Sequence, residues 1–252
     1  MIDKILGDND DYKYGEKYKF KSLRVYCSTE WMYNATKKYR RVFDRDEVDY
    51  IRAELAFYNK LFDEKEWVGE LRLKAFKIVA GIRKEICNQS QKTVIHPNEN
   101  TIYFHKGWGT DKVGGFWKKG KYVWEAYIDD KFVGEEEFYI EEVGIVTPDC
   151  NPYFDIQSVK LFAGPYDGWS ITDRNYLKQF DRKNTQYIWV EIKLINKVDT
   201  DWHCELFINH YNHAGQHKAQ ITSFRRIDKG KKDYVYTFEE GWGSREGGTW
   251  LD

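Results

Sequence analysis

Cysteine, proline and methionine are scarce in these 252 residues, at four, four and two. The four cysteines, Cys27, Cys87, Cys150 and Cys204, form no CxxC pair. None has a counterpart cysteine elsewhere in the chain, which excludes a repeated disulfide framework and predicts reduced thiols in a cytoplasmic protein. No apolar run reaches the roughly 18 residues of a membrane-spanning helix. Residues 1–19 carry Asp3, Asp8, Asp10, Asp11 and Glu16 without an apolar stretch, so they read as a solvated leader and not as a secretory signal. Net charge is missing too: 40 basic against 41 acidic side chains leave −1. Such a balance gives no attraction for nucleic acid or an anionic membrane, and neither is expected as a partner.

Aromatic residues are abundant, at 17 % with 10 Trp and 19 Tyr, and 19 Gly accompany them. Aromatics and turn-forming glycine favour strands over helix bundles. One stretch organises the rest. Gly107-Trp108-Gly109, followed by Gly114-Gly115-Phe116-Trp117, recurs as Gly241-Trp242-Gly243, followed by Gly247-Gly248-Thr249-Trp250. Upstream, Tyr39, Phe43-Asp44-Arg45, Tyr50-Ile51, Glu54 and Asn59-Lys60 recur as Tyr176, Phe180-Asp181-Arg182, Tyr187-Ile188, Glu191 and Asn196-Lys197. Trp67, Glu70 and Leu71 recur as Trp202, Glu205 and Leu206. The spacing drifts only in small steps, as loop-length changes produce, and predicts an internal duplication.

Within each copy the strongest local signal is period-2 alternation. Ile51, Ala53, Leu55 and Phe57 share one face of Tyr50–Phe57, with Arg52 and Glu54 on the other. Ile188, Val190, Ile192 and Leu194 repeat that face, with Glu191 and Lys193 opposite. The strands that begin at Trp67 and Trp202 follow short acidic turns, and each is expected to pair antiparallel with the strand before it. Asn212-His213-Ala214-Gly215 reads as a hairpin turn, as does Asp129-Asp130-Lys131 between Tyr122–Ile128 and Phe138–Ile140. Thr29–Arg41 and its counterpart from Gly164 read as loops, since Gly164-Pro165 and Gly168 forbid a continuous helix. About seven short strands per copy predict an all-β chain of two tandem immunoglobulin-like antiparallel β-sandwiches. The expected boundaries are a leader at 1–19, a first sandwich at 20–147, a linker at 148–152 and a second sandwich at 153–252. The first copy continues from Lys118 to Gly144 beyond its last Trp, whereas the second reaches only Asp252, so it is expected to lack its final hairpin.

Chemistry is sparse. Gly107–Lys112 lacks the GxxxxGK[ST] spacing of a phosphate loop. His210, His213 and His217 cluster in sequence, with His203 and Cys204 nearby, but a turn does not gather three His as a helix face does, and they read as solvated turn histidines. Glu135-Glu136-Glu137 and Glu141-Glu142 read as an acidic strand edge. Glu54 and Glu191 recur, and a repeated ion pair to a neighbouring strand is the plain account of both. Catalytic residues, a metal site and cofactors are therefore not expected. Trp108, Trp117, Trp242 and Trp250 remain as ligand-binding candidates, because an indole beside glycine can form a flat stacking shelf for a sugar. Their recurrence points more strongly to a role in the fold.

Tyr39–Arg45, Tyr50–Lys60, Tyr122–Ile128 and Asn209–Gln216 resemble the N-terminal, non-catalytic region of a group of bacterial AAA-family ATPases, those likened to a stage V sporulation ATPase. The resemblance covers about residues 20–252. It implies an ATPase module beyond Asp252, no catalytic residue within these positions, and a protein-interaction or adaptor role that engages a partner or substrate protein. The alternative is a carbohydrate-binding module that uses the four tryptophans.

Overall fold

The computed structural model describes residues 15–31 and 37–248, with only the backbone given for 28–31. Strands make up 60 % of the structure and helix 3 %, so the chain is all-β, as its aromatic and alternating sequence predicts. It divides into two compact units, Met1–Glu142 and Val143–Asp252.

The first unit contains β1 (Tyr18–Trp31), β2 (Lys37–Tyr39), β3 (Val42–Asp44), β4 (Tyr50–Asn59), β5 (Trp67–Val79), β6 (Ile82–Ile95), β7 (Thr101–Gly109), β8 (Gly120–Ile128) and β9 (Lys131–Glu141). One sheet runs β2-β1-β4-β7 and the other β3-β9-β8-β5-β6. The second unit contains β10 (Phe154–Gly164), β11 (Tyr187–Asn196), β12 (Trp202–Tyr211), β13 (His217–Ile227) and β14 (Val235–Gly243). Its sheets are β10-β11-β14 and β12-β13. Of the expected leader, residues 1–14 lie outside the described residues, and Tyr18 and Lys19 already belong to β1. Thr147 and Cys150 close a small β-bridge within the stretch expected as linker. Part of the expected Thr29–Arg41 loop is strand, as β1 continues to Trp31 and Lys37–Tyr39 forms β2.

The two hairpin turns form where the sequence puts them. Asp129 and Asp130 adopt φ of 50° and 61°, the left-handed pair that a tight β8–β9 hairpin requires. Gly215 supplies a φ of 74° between β12 and β13. The expected pairing of β4 with β5, and of β11 with β12, does not form. β4 pairs with β1 and β7, while β5 pairs with β6 and β8. The connection is a corner between sheets, and an asparagine holds it. Asn59 Oδ1 accepts from Trp67 Nε1 at 3.0 Å and from the Leu61 amide at 3.0 Å. Asn59 Nδ2 donates to the carbonyls of His96 and Glu99. Asn196 does the same with Trp202 Nε1 at 3.1 Å, the Val198 amide, and the carbonyls of Val198 and Lys231.

The pairings of the two units also share their irregularities. Tyr50 lies opposite Gly109, and Tyr187 opposite Gly243. The ladder of β1 with β4 shifts between Phe20 and Ser22, and that of β10 with β11 between Ile156 and Ser158. Each shift is a bulge of one residue in the strand.

Replacing Asn196 by Ala strips a buried indole N–H and two carbonyls of their partner, a loss of about 2–3 kcal/mol. The urea midpoint of the transition followed through the second unit is expected to fall accordingly. An unchanged midpoint would mean that the corner is held by other contacts.

Candidate functional site

The Gly-Trp-Gly stretches are strand ends and not loops. Each glycine is demanded by its neighbour. A Cβ on Gly109 would lie 2.0 Å from the Asp49 carbonyl oxygen, and one on Gly243 would lie 2.1 Å from that of Gln186. A Cβ on Gly107 would meet the Arg52 side chain, and one on Gly241 the Trp189 ring. The indoles between them turn inward. Trp108 sits opposite Ile51, which is fully buried, and packs edge-on against Phe116. Trp242 sits opposite Ile188 and packs on the His210 ring at 5.2 Å. Trp117, expected among the ligand-binding candidates, is 0 % exposed and wedged between Phe116, Tyr122 and Phe138. It offers no face to a sugar, because the β8–β9 hairpin closes over it. Trp250 lies outside the described residues.

The repeated glutamates are buried, where alternation alone places them on a solvent face. Glu54 is 2 % exposed and Glu191 1 %. Glu54 takes hydrogen bonds from Lys37 Nζ and from Tyr39 Oη at 2.6 Å, both on β2, with Arg24 of β1 at 3.9 Å. Glu191 takes them from Arg174 at 2.6 Å and Tyr176 Oη at 2.6 Å, with Lys193 at 3.8 Å. Arg174 also forks onto Glu239 at 2.6 and 2.8 Å and clamps the Trp169 carbonyl. The neighbouring-strand ion pair expected for Glu54 is present, but most of its charge compensation comes from β2. Burial works against ionisation of both carboxyls. The donors outweigh it and hold both below the ordinary carboxylate value. Tyr39 is pushed upward, first by burial and then by the adjacent Glu54.

The other singled-out side chains disperse. His210 is half-buried on β12, and burial holds its imidazole below the ordinary value. That differs from the solvated turn expected for it, because Trp242 covers the ring. His213 is exposed in the turn, and His217 bonds Asn209. No three His, Cys, Asp or Glu converge on one point among the described residues. The acids of β9 are spread over separate cations, Glu135 on Arg83, Glu136 on Arg41 and Glu137 on Lys121. No disulfide links the cysteines. Burial raises the Cys87 thiol to about 11 and the Cys204 thiol to about 12. No helix among the described residues is long and apolar enough to cross a membrane.

One surface stands out, and the sequence alone does not reveal it. Cross-strand partners point to the same face of a sheet. In the first unit Leu23 and Val25 lie opposite Leu55 and Ala53, and all four are buried. In the second unit Ile156 and Val159 lie opposite Leu194 and Ile192, on the inner face of their sheet. Yet Ile156 is 63 % exposed and Val159 57 %, against 5 % for Leu23. Part of an inward apolar face is therefore bare.

No protein-family profile matches the chain, and no curated protein sequence matches it. Solved structures do match. The alkylpurine DNA glycosylase of Pseudomonas fluorescens, bound to DNA containing an abasic-site analogue, is similar over 50 % of this chain at 10 % identity, with a TM-score of 0.34. Red sea bream transglutaminase is similar over 92 % at 8 % identity, with a TM-score of 0.34. The matched regions span 31 % and 27 % of those chains. Likenesses this distant carry no argument. What defines the class here is the architecture: an all-β protein whose sheets are antiparallel except where β3 pairs parallel with β9.

Because the carboxyls of Glu54 and Glu191 lie below the ordinary carboxylate value of 4.5, the stability they confer is complete above that pH. It is lost as pH falls through their lower folded values. Replacing Glu191 by Gln should cost about 2 kcal/mol at pH 7 and flatten the acid limb of a stability-against-pH curve. An acid limb of unchanged slope would show that other groups set it.

Proposed function

We propose that this chain is a protein-interaction module, an adaptor built from two related immunoglobulin-like sandwiches that arose by internal duplication. The matched asparagine corners, matched bulges and repeated glutamate clusters support the duplication. The bare inner face of β10, with Ile156 and Val159 toward solvent, carries the functional reading. Contiguous apolar surface left in water is costly unless something covers it. Among the described residues β12 pairs only with β13, and such an open sheet edge is a place where a partner strand can add through main-chain hydrogen bonds. In line with the resemblance to the N-terminal region of AAA-family ATPases, the module presents its partner to a motor lying beyond residue 252. The sugar-binding reading is weaker, since Trp117 and Trp108 face the core.

Two experiments test this proposal. Peptides selected from a displayed random library on the whole chain should lose most of their binding when Ile156 and Val159 are both replaced by Asp. Equal recovery on the variant would remove the adaptor reading from this face, and selective retention of glycans requiring Trp242 would favour the sugar reading. The gene beyond codon 252 tests the motor: an open frame leading to a GxxxxGK[ST] loop supports it, and a stop at codon 253 ends it.

A further inference from the structure

We infer that the tip of the β5–β6 hairpin, residues 78–82, is a membrane contact that dips into the interface of an anionic lipid surface. The inference concerns the first unit alone and does not rest on the adaptor reading.

Three features of the tip run against what a hairpin in water requires. Val79 lies opposite Ile82 across the turn, 39 % and 65 % exposed, and Ala80 and Gly81 between them are exposed as well. A run of four exposed residues without a polar side chain departs from the polar turns that suit water. The turn is left-handed, with φ of 51° at Ala80 and 79° at Gly81. Alanine is strained there because its Cβ crowds the backbone, whereas asparagine or aspartate gains a local hydrogen bond. The other non-glycine residues with positive φ among the described residues, Asp63, Asp129, Asp130 and Asp233, are all aspartates. The tip thus keeps an apolar side chain where the rest of the chain uses a charged one. One pair further along, Lys77 lies directly opposite Lys84, and like charges so placed repel.

Charge around the tip is compensated unevenly. Arg83 is taken up by Glu125 and Glu135, Lys121 by Glu137, Lys119 by Glu141, and Glu85 faces Lys74. Lys77 and Lys84 have no carboxylate within ion-pair reach among the described residues, nor have Lys112 and Lys118 in the loop that leads into β8. Lys77 lies over the Tyr122 ring, and a Cβ on Gly120 would be 3.5 Å from its Cε. The loop and the tip therefore share one end of the unit. The loop exposes a further apolar residue there, Val113 at 49 %, while its Asp111 accepts from Tyr50 Oη at 3.0 Å. A net charge of −1 over the whole chain conceals this local excess of lysine.

An anionic lipid surface answers all of these features together. Short apolar tips settle at the edge of the acyl chains, lysine stems reach back along them, and the ammonium groups meet headgroup phosphates. A turn that leaves water has no use for a charged residue at its left-handed position, which accounts for Ala80. A folded protein partner fits less well, because a specific interface buries roughly 800 Å² on each side, more than a four-residue turn provides.

The test sediments the whole chain with vesicles of phosphatidylcholine, alone or with added phosphatidylserine. Binding is expected only where phosphatidylserine is present, and it should weaken as salt is raised. V79D/I82D changes two exposed side chains and should lower the partition at least about tenfold. K84E/K112E should lower it by about as much. Ala80→Asn separates contact from fold: asparagine suits the turn, so the urea midpoint of the first unit should hold or rise while vesicle binding falls. Four results would each overturn the inference. One is no binding, or binding without preference for phosphatidylserine. Another is equal binding by V79D/I82D. Heparin retention that needs Lys84 and Lys112, with vesicle binding indifferent to Val79 and Ile82, would assign the lysines to a soluble polyanion. Binding lost in I156D/V159D but kept in V79D/I82D would move the contact to β10.

Discussion

A chain that passes from one sheet of a sandwich to the other must leave its backbone hydrogen bonds at the corner, in the driest part of the molecule. Both units meet this constraint with an asparagine. Its carboxamide offers two acceptor sites and two donors, and the corner uses all four. The tryptophan that opens the next strand is fixed by the same amide, so the corner also sets where the second sheet begins. A buried amide with every partner in place adds rigidity, whereas a half-satisfied one would be worse than a leucine. The placement of β5 over β4, and of β12 over β11, follows from it.

The outer face of each central strand carries a second polar commitment. An ionised carboxylate inside protein is tolerated only with cations and donors around it. Glu54 obtains them from Lys37 and Tyr39, and Glu191 from Arg174 and Tyr176. In each case the segment after the first strand folds back across the sheet. The carboxylate thus ties the covering segment to the sheet through polar contacts. In the second unit Arg174 extends this to Glu239 on β14, and its clamp on the Trp169 carbonyl shapes the turn.

The strands and hairpin turns were legible because they depend on neighbours in sequence. Alternation marked β4 and β11, and Asp129-Asp130 and Asn212–Gly215 marked their turns. The corner was not legible as a corner. An acidic, glycine-poor connection of a few residues suits a hairpin equally well by composition. The distinguishing signal was Asn59 followed eight residues later by Trp67, recurring as Asn196 with Trp202 six residues on, and its meaning lies in a side-chain bond that spacing does not reveal. Glu54 looked exposed for a similar reason, since its cover comes from β2, fifteen or more residues away in the chain. The Gly-Trp-Gly stretch was prominent in sequence but its role was misplaced. Its glycines serve close backbone approach, and its indoles serve the core.

The units differ at one repeated seat. Gly107 lies under Arg52 in the first, while Gly241 lies under the flat ring of Trp189 in the second. Trp189 stacks on Phe162 at 6.2 Å and donates its Nε1 proton to the Pro165 carbonyl. A Cβ built on Gly168 would lie 3.5 Å from the same ring. An indole so enclosed is a native fluorophore placed beneath residues 165–168, and arginine leaves the equivalent position of the first unit dark. Trp189 is one of ten tryptophans, and the difference in emission between the protein and its Trp189→Phe variant isolates the share that reports whether that segment is seated on its sheet.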